Sequence, residues 1–217
     1  MQLFDQARAV RAMETHGIDV ILATTRTNVG YLADYYGHYI AQQPFYLEDG
    51  GHYDIIAGLP RDPDQGAFLT PCTGEEGELS AGICWIEDLR YCGPELVVQG
   101  SDGATTINTD PAKAAAEALA DRRLDAATIG VEMNDIPVKL FERLRRHLPK
   151  ARFVDAEPVL WQMKVVKTPE EVRRLREAVR ATESAIAYAF DRLHAGMSEL
   201  TFERNVYVKL AECGADR

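Results

Sequence analysis

Residues 161–186 read WQMKVVKTPEEVRRLREAVRATESAI, and the middle of this stretch holds the sharpest boundary signal in the chain. Thr168 offers a capping hydroxyl, Pro169 suits a first helical turn where an N–H has no partner anyway, and the following Glu170-Glu171 supplies the acid of a capping box. Val172, Leu175, Val179, Ile186, Phe190 and Leu193 then recur at helical spacing, so a long amphipathic helix is predicted, closed by His194-Ala195-Gly196. Ser198 caps a second helix reaching Leu210. Both helices carry apolar stripes that expect a sheet to cover them. The clearest boundary in the chain therefore lies at Thr168.

Working outward from that boundary, strand and helix signals alternate. PAKAAAEALADRRL (111–124) is an alanine-rich helix with proline in its first turn. ATIGVE (127–132) is a strand. PVKLFERLRRHL (137–148) is a helix whose inner face is Val138, Leu140, Phe141, Leu144 and Leu148, and ARFVDAEPVLWQMKVVK (151–167) returns as a strand and a crossing segment. Near the start, Leu3, Phe4, Ala7, Val10 and Met13 keep helical spacing up to Gly17. IDVILATT (18–25) is the β-branched run of a buried strand, and TNVGYLADYYG (27–37) is a short helix capped by Thr27 or Asn28. YDIIAGL (53–59) and GAFLTP (66–71) read as strands joined by PRDPDQG, with Pro60 and Pro63 in the turn; ICWIEDLRY and ELVVQG add two short strands. This alternation predicts an α/β layer structure.

Composition narrows the function. A net charge of -10 disfavours non-specific nucleic-acid binding, which needs cations to displace condensed counterions. No apolar run approaches the length of a membrane span, and MQLFDQARAV lacks signal-peptide architecture. Cys72, Cys84, Cys92 and Cys213 form neither a CxxC pair nor a zinc-ligand spacing with histidine. A reduced, cytoplasmic protein is expected.

Four stretches taken in order resemble the family of creatinase, prolidase and aminopeptidase P: TNVGYLADYYG after a strand; IGVE followed by the helix PVKLFERLRRHLP and the strand ARFVDAEPVL; WQMKVVKTPEEVRRLREAVRATESAI; and AGMSELTFERNVYVKLAECGAD. The resemblance is thin between residues 40 and 105. It implies an amino-terminal domain with a mixed β-sheet flanked by helices over 1–160. Residues 161–217 would be the first two helices of an incomplete pita-bread catalytic domain. It implies an Xaa-Pro dipeptidase or aminopeptidase, with a creatinase-like amidinohydrolase or other small-zwitterion hydrolase or lyase as the alternative within the family. A non-catalytic binding or assembly module is the alternative of another class. Two divalent metal ions (Mn, Co or Zn) would be held by two Asp, one His and two Glu on strands beyond Arg217, so this chain is expected to bind no metal and to be inactive alone. A small peptide or zwitterionic substrate and a homodimer are further implications.

The loop Tyr35-Tyr36-Gly37-His38-Tyr39 is the chain's own candidate site. The resemblance puts Tyr36 on an aromatic position and His38 on an arginine position of a loop that reaches a partner's active site. An imidazole can donate to a substrate carboxylate while the tyrosine packs on its apolar part, although it lacks the bidentate fork of arginine. The plain alternative is a surface loop with aromatic anchors. His52 with Glu48, Asp49 and Asp54 reads as an acidic turn around Gly50-Gly51 rather than a metal cluster. His16 and His194 sit at helix C-termini, where the dipole favours them; His147 with Arg143, Arg145 and Arg146 makes a solvated basic face. Cys84 and Cys92 read as small buried apolar residues.

Overall fold

The computed structural model describes residues 2–36, 54–73, 75, 79, 81–93 and 109–215. These form two compact units, Met1–Val166 and Lys167–Arg217.

In the first unit the sheet is organised around β1 (Val20–Ala23), all four of whose residues are buried. β1 pairs antiparallel with β2 (Ala57–Pro60) and parallel with β5 (Thr128–Val131). β2 continues antiparallel to β3 (Phe68–Leu69), which runs parallel to β4 (Asp88–Leu89), and β5 runs parallel to β6 (Arg152–Asp155). Among the described residues the order is β4-β3-β2-β1-β5-β6, a mixed sheet. Both faces are covered, which is why β1 is an unbroken apolar run. Ile21 and Ala23 face a cluster with Met13 of α1 (Gln6–His16), Leu32 of α2 (Arg26–Ala33), and Val159 and Met163 of α5 (Glu157–Val165). Val20 and Leu22 point the other way, toward Leu119 of α3 (Pro111–Asp121) and Leu140 and Leu144 of α4 (Val138–His147). The alanine face of α3 lets that helix lie close to the sheet.

Several local expectations shift for identifiable reasons. Helix α1 begins after Asp5, whose carboxylate accepts from the Arg8 N–H at 2.8 Å, so Ala9, Ala12 and Met13 form the buried face and Ala7 is exposed. The cap of α2 is Thr25, not Thr27 or Asn28. Pro60 closes β2 opposite Val20 instead of lying in the turn. Its absent donor is harmless there, because the next residue, Arg61, donates to the Asp19 carbonyl at 2.8 Å. Val138 is 72% exposed because the inner face of α4 is Leu140, Arg143 and Leu144. The strand predicted from ICWIEDLRY is only Asp88–Leu89, and ELVVQG lies outside the described residues.

The end of α3 carries a testable strain. Arg123 has φ 59°, its N–H bonds the Ala120 carbonyl at 2.9 Å, and the Leu124 N–H bonds the Leu119 carbonyl at 2.8 Å. That double closure is a Schellman motif with an exposed arginine where glycine is unstrained. The same motif ends α1 with Gly17 at φ 63°. Arg123→Gly is expected to raise stability by about 0.5–1 kcal/mol in urea denaturation; a loss would show that the arginine side chain matters more than its backbone.

In the second unit, α6 (Pro169–Phe190) starts with the predicted capping box: the Thr168 hydroxyl accepts from the Glu171 N–H at 3.2 Å, and the Thr168 N–H donates to Glu171 Oε2 at 2.7 Å. α7 (Glu199–Glu212) is capped by Ser198. Ala185 and Ala189 are buried, and Phe190 meets Phe202 edge-on at 5.3 Å. Leu193 falls in the turn beyond Phe190. Leu175, Val179, Ile186, Phe190 and Leu200 stay between 45% and 63% exposed, so the apolar stripe is uncovered.

Candidate functional site

Helix α2 carries the candidate loop, and a buried carboxylate fixes where α2 begins. Glu132 follows β5 and is fully buried. Its Oε2 accepts from the Thr24 N–H at 2.5 Å, the Thr24 hydroxyl at 3.1 Å and the Thr25 N–H at 2.9 Å. Its Oε1 accepts from the Thr25 hydroxyl and from the Asn28 side-chain amide. The Thr25 oxygen has a second role, accepting the Asn28 N–H at 3.2 Å as the helix cap. The Asn28 carbonyl oxygen in turn takes the Lys164 ammonium from α5, and that ammonium lies 5.4 Å from the centre of the Tyr31 ring. Tyr31 donates to the Met163 carbonyl at 3.0 Å. One turn of α2 thus grips the last turn of α5. The charges at either end of Asn28 fix which way its amide points, since only the NH2 can serve a carboxylate and only the oxygen an ammonium.

The other end of α2 is held as firmly. Asp34, at φ 55°, closes it through an N–H bond to the Gly30 carbonyl at 2.9 Å. The Trp85 indole donates to the Leu32 carbonyl at 2.8 Å, and the Cys84 thiol to the Ala33 carbonyl at 3.2 Å. These bonds satisfy carbonyls that a helix end leaves bare. Tyr35 is buried, and Tyr36 emerges 49% exposed. His38 lies outside the described residues, as do His52, Glu48 and Asp49.

Asp54 faces Arg143 at 3.9 Å, and Asp110, the cap of α3, contacts Arg143 Nε at 3.3 Å and His147 Nε2 at 3.0 Å. With its side chain only 5% exposed, Arg143 is not part of a solvated face; its neighbours are carboxylates, and the basic face reduces to Arg145 and Arg146. Those two line a cleft of about 440 Å³ with Glu142, Leu148, Ala151 and Phe153, which brings no nucleophile or acid–base pair together. His16 Nδ1 sits 2.9 Å from the Ala12 carbonyl oxygen at the end of α1, and His194 Nδ1 lies 3.0 Å from that of Ala195. Cys92 faces Cys72 across a parallel bridge, and burial pushes its thiol up to about 12; burial also raises Cys84. Burial thus favours the thiol over the more nucleophilic thiolate at both positions. Among the described residues no three His, Cys, Asp or Glu side chains converge on a metal position, and no helix is long and apolar enough to cross a membrane.

Glu132 is the residue that local reading passes over. Its signal is a charge ending the apolar run IGV, at a level where a carboxylate needs donors from elsewhere.

Comparison with known proteins matches this architecture. The family model described as Creatinase/Prolidase N-terminal domain covers residues 6–166. Ectoine hydrolase of Halomonas elongata is 24% identical over 200 residues, 90% of this chain and 45% of that protein. Xaa-Pro dipeptidase of Lactobacillus helveticus is 30% identical over 91 residues, 42% of this chain and 25% of its own length. In fold, X-Pro aminopeptidase from Thermotoga maritima superposes with a TM-score of 0.69 at 16% identity, over 98% of this chain and 50% of its own. Prolidase from Pyrococcus furiosus gives 0.64 at 16% identity, over 98% and 54%. The chain spans about half the length of these relatives, or less.

Proposed function

Because the chain belongs to the creatinase/prolidase N-terminal domain family, we propose that it is the amino-terminal part of a hydrolase cleaving Xaa-Pro dipeptides or short Xaa-Pro peptides. In this reading residues 1–160 supply a dimerisation surface and gate the substrate. Residues 161–217 open the pita-bread domain that does the chemistry, in a cytoplasmic homodimer. The carrying observation is the order of parts: the family domain is followed directly by α6, capped at Thr168, whose apolar stripe of Leu175, Val179 and Ile186 is exposed and suited to a covering sheet. Tyr36 and His38 are the residues that meet the substrate across the dimer in this reading. The half-exposed ring at the end of a doubly anchored helix supports that role for Tyr36. In this reading the two divalent metals implied by the resemblance are held by strands of the catalytic domain and not by residues 1–160.

A second reading within the family, a hydrolase of a small zwitterion, is favoured by the ectoine hydrolase match, which extends over 90% of the chain where the dipeptidase match covers 42%. One experiment separates the readings. The 217-residue protein is assayed on Xaa-Pro dipeptides and on ectoine with added Mn²⁺ or Co²⁺, beside a longer polypeptide that continues into the metal-binding strands. Turnover of Xaa-Pro dipeptides by the longer form alone is the expected result. Turnover of ectoine instead selects the second reading, and robust turnover by the 217-residue protein defeats the assignment of chemistry outside it.

A further inference from the structure

We propose that Gly30 is a positioning residue for Tyr36: the missing side chain in the middle of α2 is a seat on which the phenol ring lies. This rests on the reading of Tyr36 as a substrate contact. A β-carbon built on Gly30 would stand 2.7 Å from Tyr36 Cζ and nearer still to Cδ1 and Cε1, closer than real contacts allow. The ring occupies the space that any other residue would fill. The helix carries a cost for this, since glycine in a helix interior is disfavoured relative to alanine. Gly30 has no positive φ to justify it; positive φ is confined among the described glycines to Gly17, Gly66, Gly82, Gly196 and Gly214.

The fold shows what the same device does in a core. Gly58 of β2 lies opposite Phe68 of β3, and a β-carbon there would collide with the phenyl ring. Phe68 is fully buried, so that glycine is explained by packing. Tyr36 leaves half its surface in solvent, and packing alone returns much less. What the seat does provide is orientation. With one face on the Gly30 position and the helix anchored at Glu132, Lys164, Cys84 and Trp85, the ring is biased toward one plane, and its outer face is offered to an apolar ligand group.

A double-substitution cycle on the 217-residue chain tests this. In the Tyr36→Ala background, Gly30→Ala should raise the thermal midpoint by about 2–4 °C, the gain of a better helix former. With Tyr36 present the same substitution should give no rise, or a fall, because the ring is displaced; Tyr36→Phe should behave like the native residue. An equal rise in both backgrounds, or a fall in both, overturns the seat. In a polypeptide with hydrolase activity, Gly30→Ala should then raise KM about as much as Tyr36→Ala does, on the order of tenfold, with kcat within about twofold. A coupled cycle accompanied by an unchanged KM for Tyr36→Ala keeps the seat and removes the substrate contact on which its purpose rests.

Discussion

Replacing Glu132 by leucine is expected to destabilise the Met1–Val166 unit by about 3–5 kcal/mol, measured as a fall in the urea midpoint at neutral pH with the slope of the transition unchanged. The carboxylate is fully buried and accepts from two backbone N–H groups, two hydroxyls and one amide. A buried donor left without a partner costs about 1–3 kcal/mol, and three of these donors, the Thr24 and Thr25 N–H groups and the Asn28 amide, cannot rotate into water while β1 and α2 stay in place. The hydroxyls can turn elsewhere, which keeps the total below the sum. Glu132→Gln distinguishes charge from shape. It retains one acceptor oxygen but aims an NH2 group at donors, so an intermediate loss of about 1.5–3 kcal/mol is expected. A glutamine variant as stable as the native chain would mean that the carboxylate is not what holds the start of α2.

That network also shows where local reading ends. IDVILATT and ATIGVE were legible as strands because burial on both faces leaves an unbroken apolar run, and Thr168-Pro169-Glu170-Glu171 was legible because every partner in a capping box lies within three residues. Glu132 finds its donors 104 to 108 residues away, so the apolar run that it ends hints at burial but says nothing of the partners that make burial possible. Arg143 was misplaced for the same reason: next to Arg145 and Arg146 it looks like part of a solvated face, but Asp54 and Asp110 come to it from distant segments. Val138 and Ala7 keep apolar spacing yet lie outside the buried stripes: each stands in the first turn of its helix, and the inner faces are made by Leu140, Arg143 and Leu144 in α4 and by Ala9, Ala12 and Met13 in α1. Within the candidate site, the Gly30 to Tyr36 contact spans only six residues. A helix-interior glycine followed by an aromatic residue past the helix end is a local signal, and its meaning emerges once the ring is seen lying on the backbone. His38 lies outside the described residues, so its pairing with Tyr36 belongs to the proposal alone.

Arg122→Met is the second large effect expected, about 2–4 kcal/mol, and its pH dependence identifies the cause. Arg122 is the fastener between the end of α3 and the β3–β4 edge. Its Nε donates to the Gln65 and Gly66 carbonyls at 3.0 Å each, Nη1 to Ala118 at 2.9 Å and Nη2 to Ala67 at 3.4 Å. Gln65 returns a bond to the Arg122 carbonyl at 3.1 Å. The guanidinium lies 5.1 Å from the Phe68 ring centre, on the residue that Gly58 accommodates, and pairs with Asp88 at 2.8 Å with its side chain only 10% exposed. Methionine keeps an apolar stem of similar length but loses the guanidinium over Phe68 and every polar contact. Burial works against ionisation of Asp88, but hydrogen bonds and charge from Arg90 and Arg122 outweigh it and hold the carboxyl below its ordinary range. A depressed carboxylate contributes stability that is complete above the unfolded-state value, near pH 4, and disappears as the pH falls through the lower folded-state value. Removing Arg122 relaxes that depression, with Arg90 left as the remaining cation. The gap between native and variant chains should therefore be widest above about pH 4 and narrow steadily on acidification. Arg122→Lys should recover less than half of the loss, since an ammonium restores the charge beside Asp88 but cannot reach four carbonyls as the planar fork does. A gap that stays constant with pH would place the effect in the carbonyl contacts alone and remove Asp88 from the account.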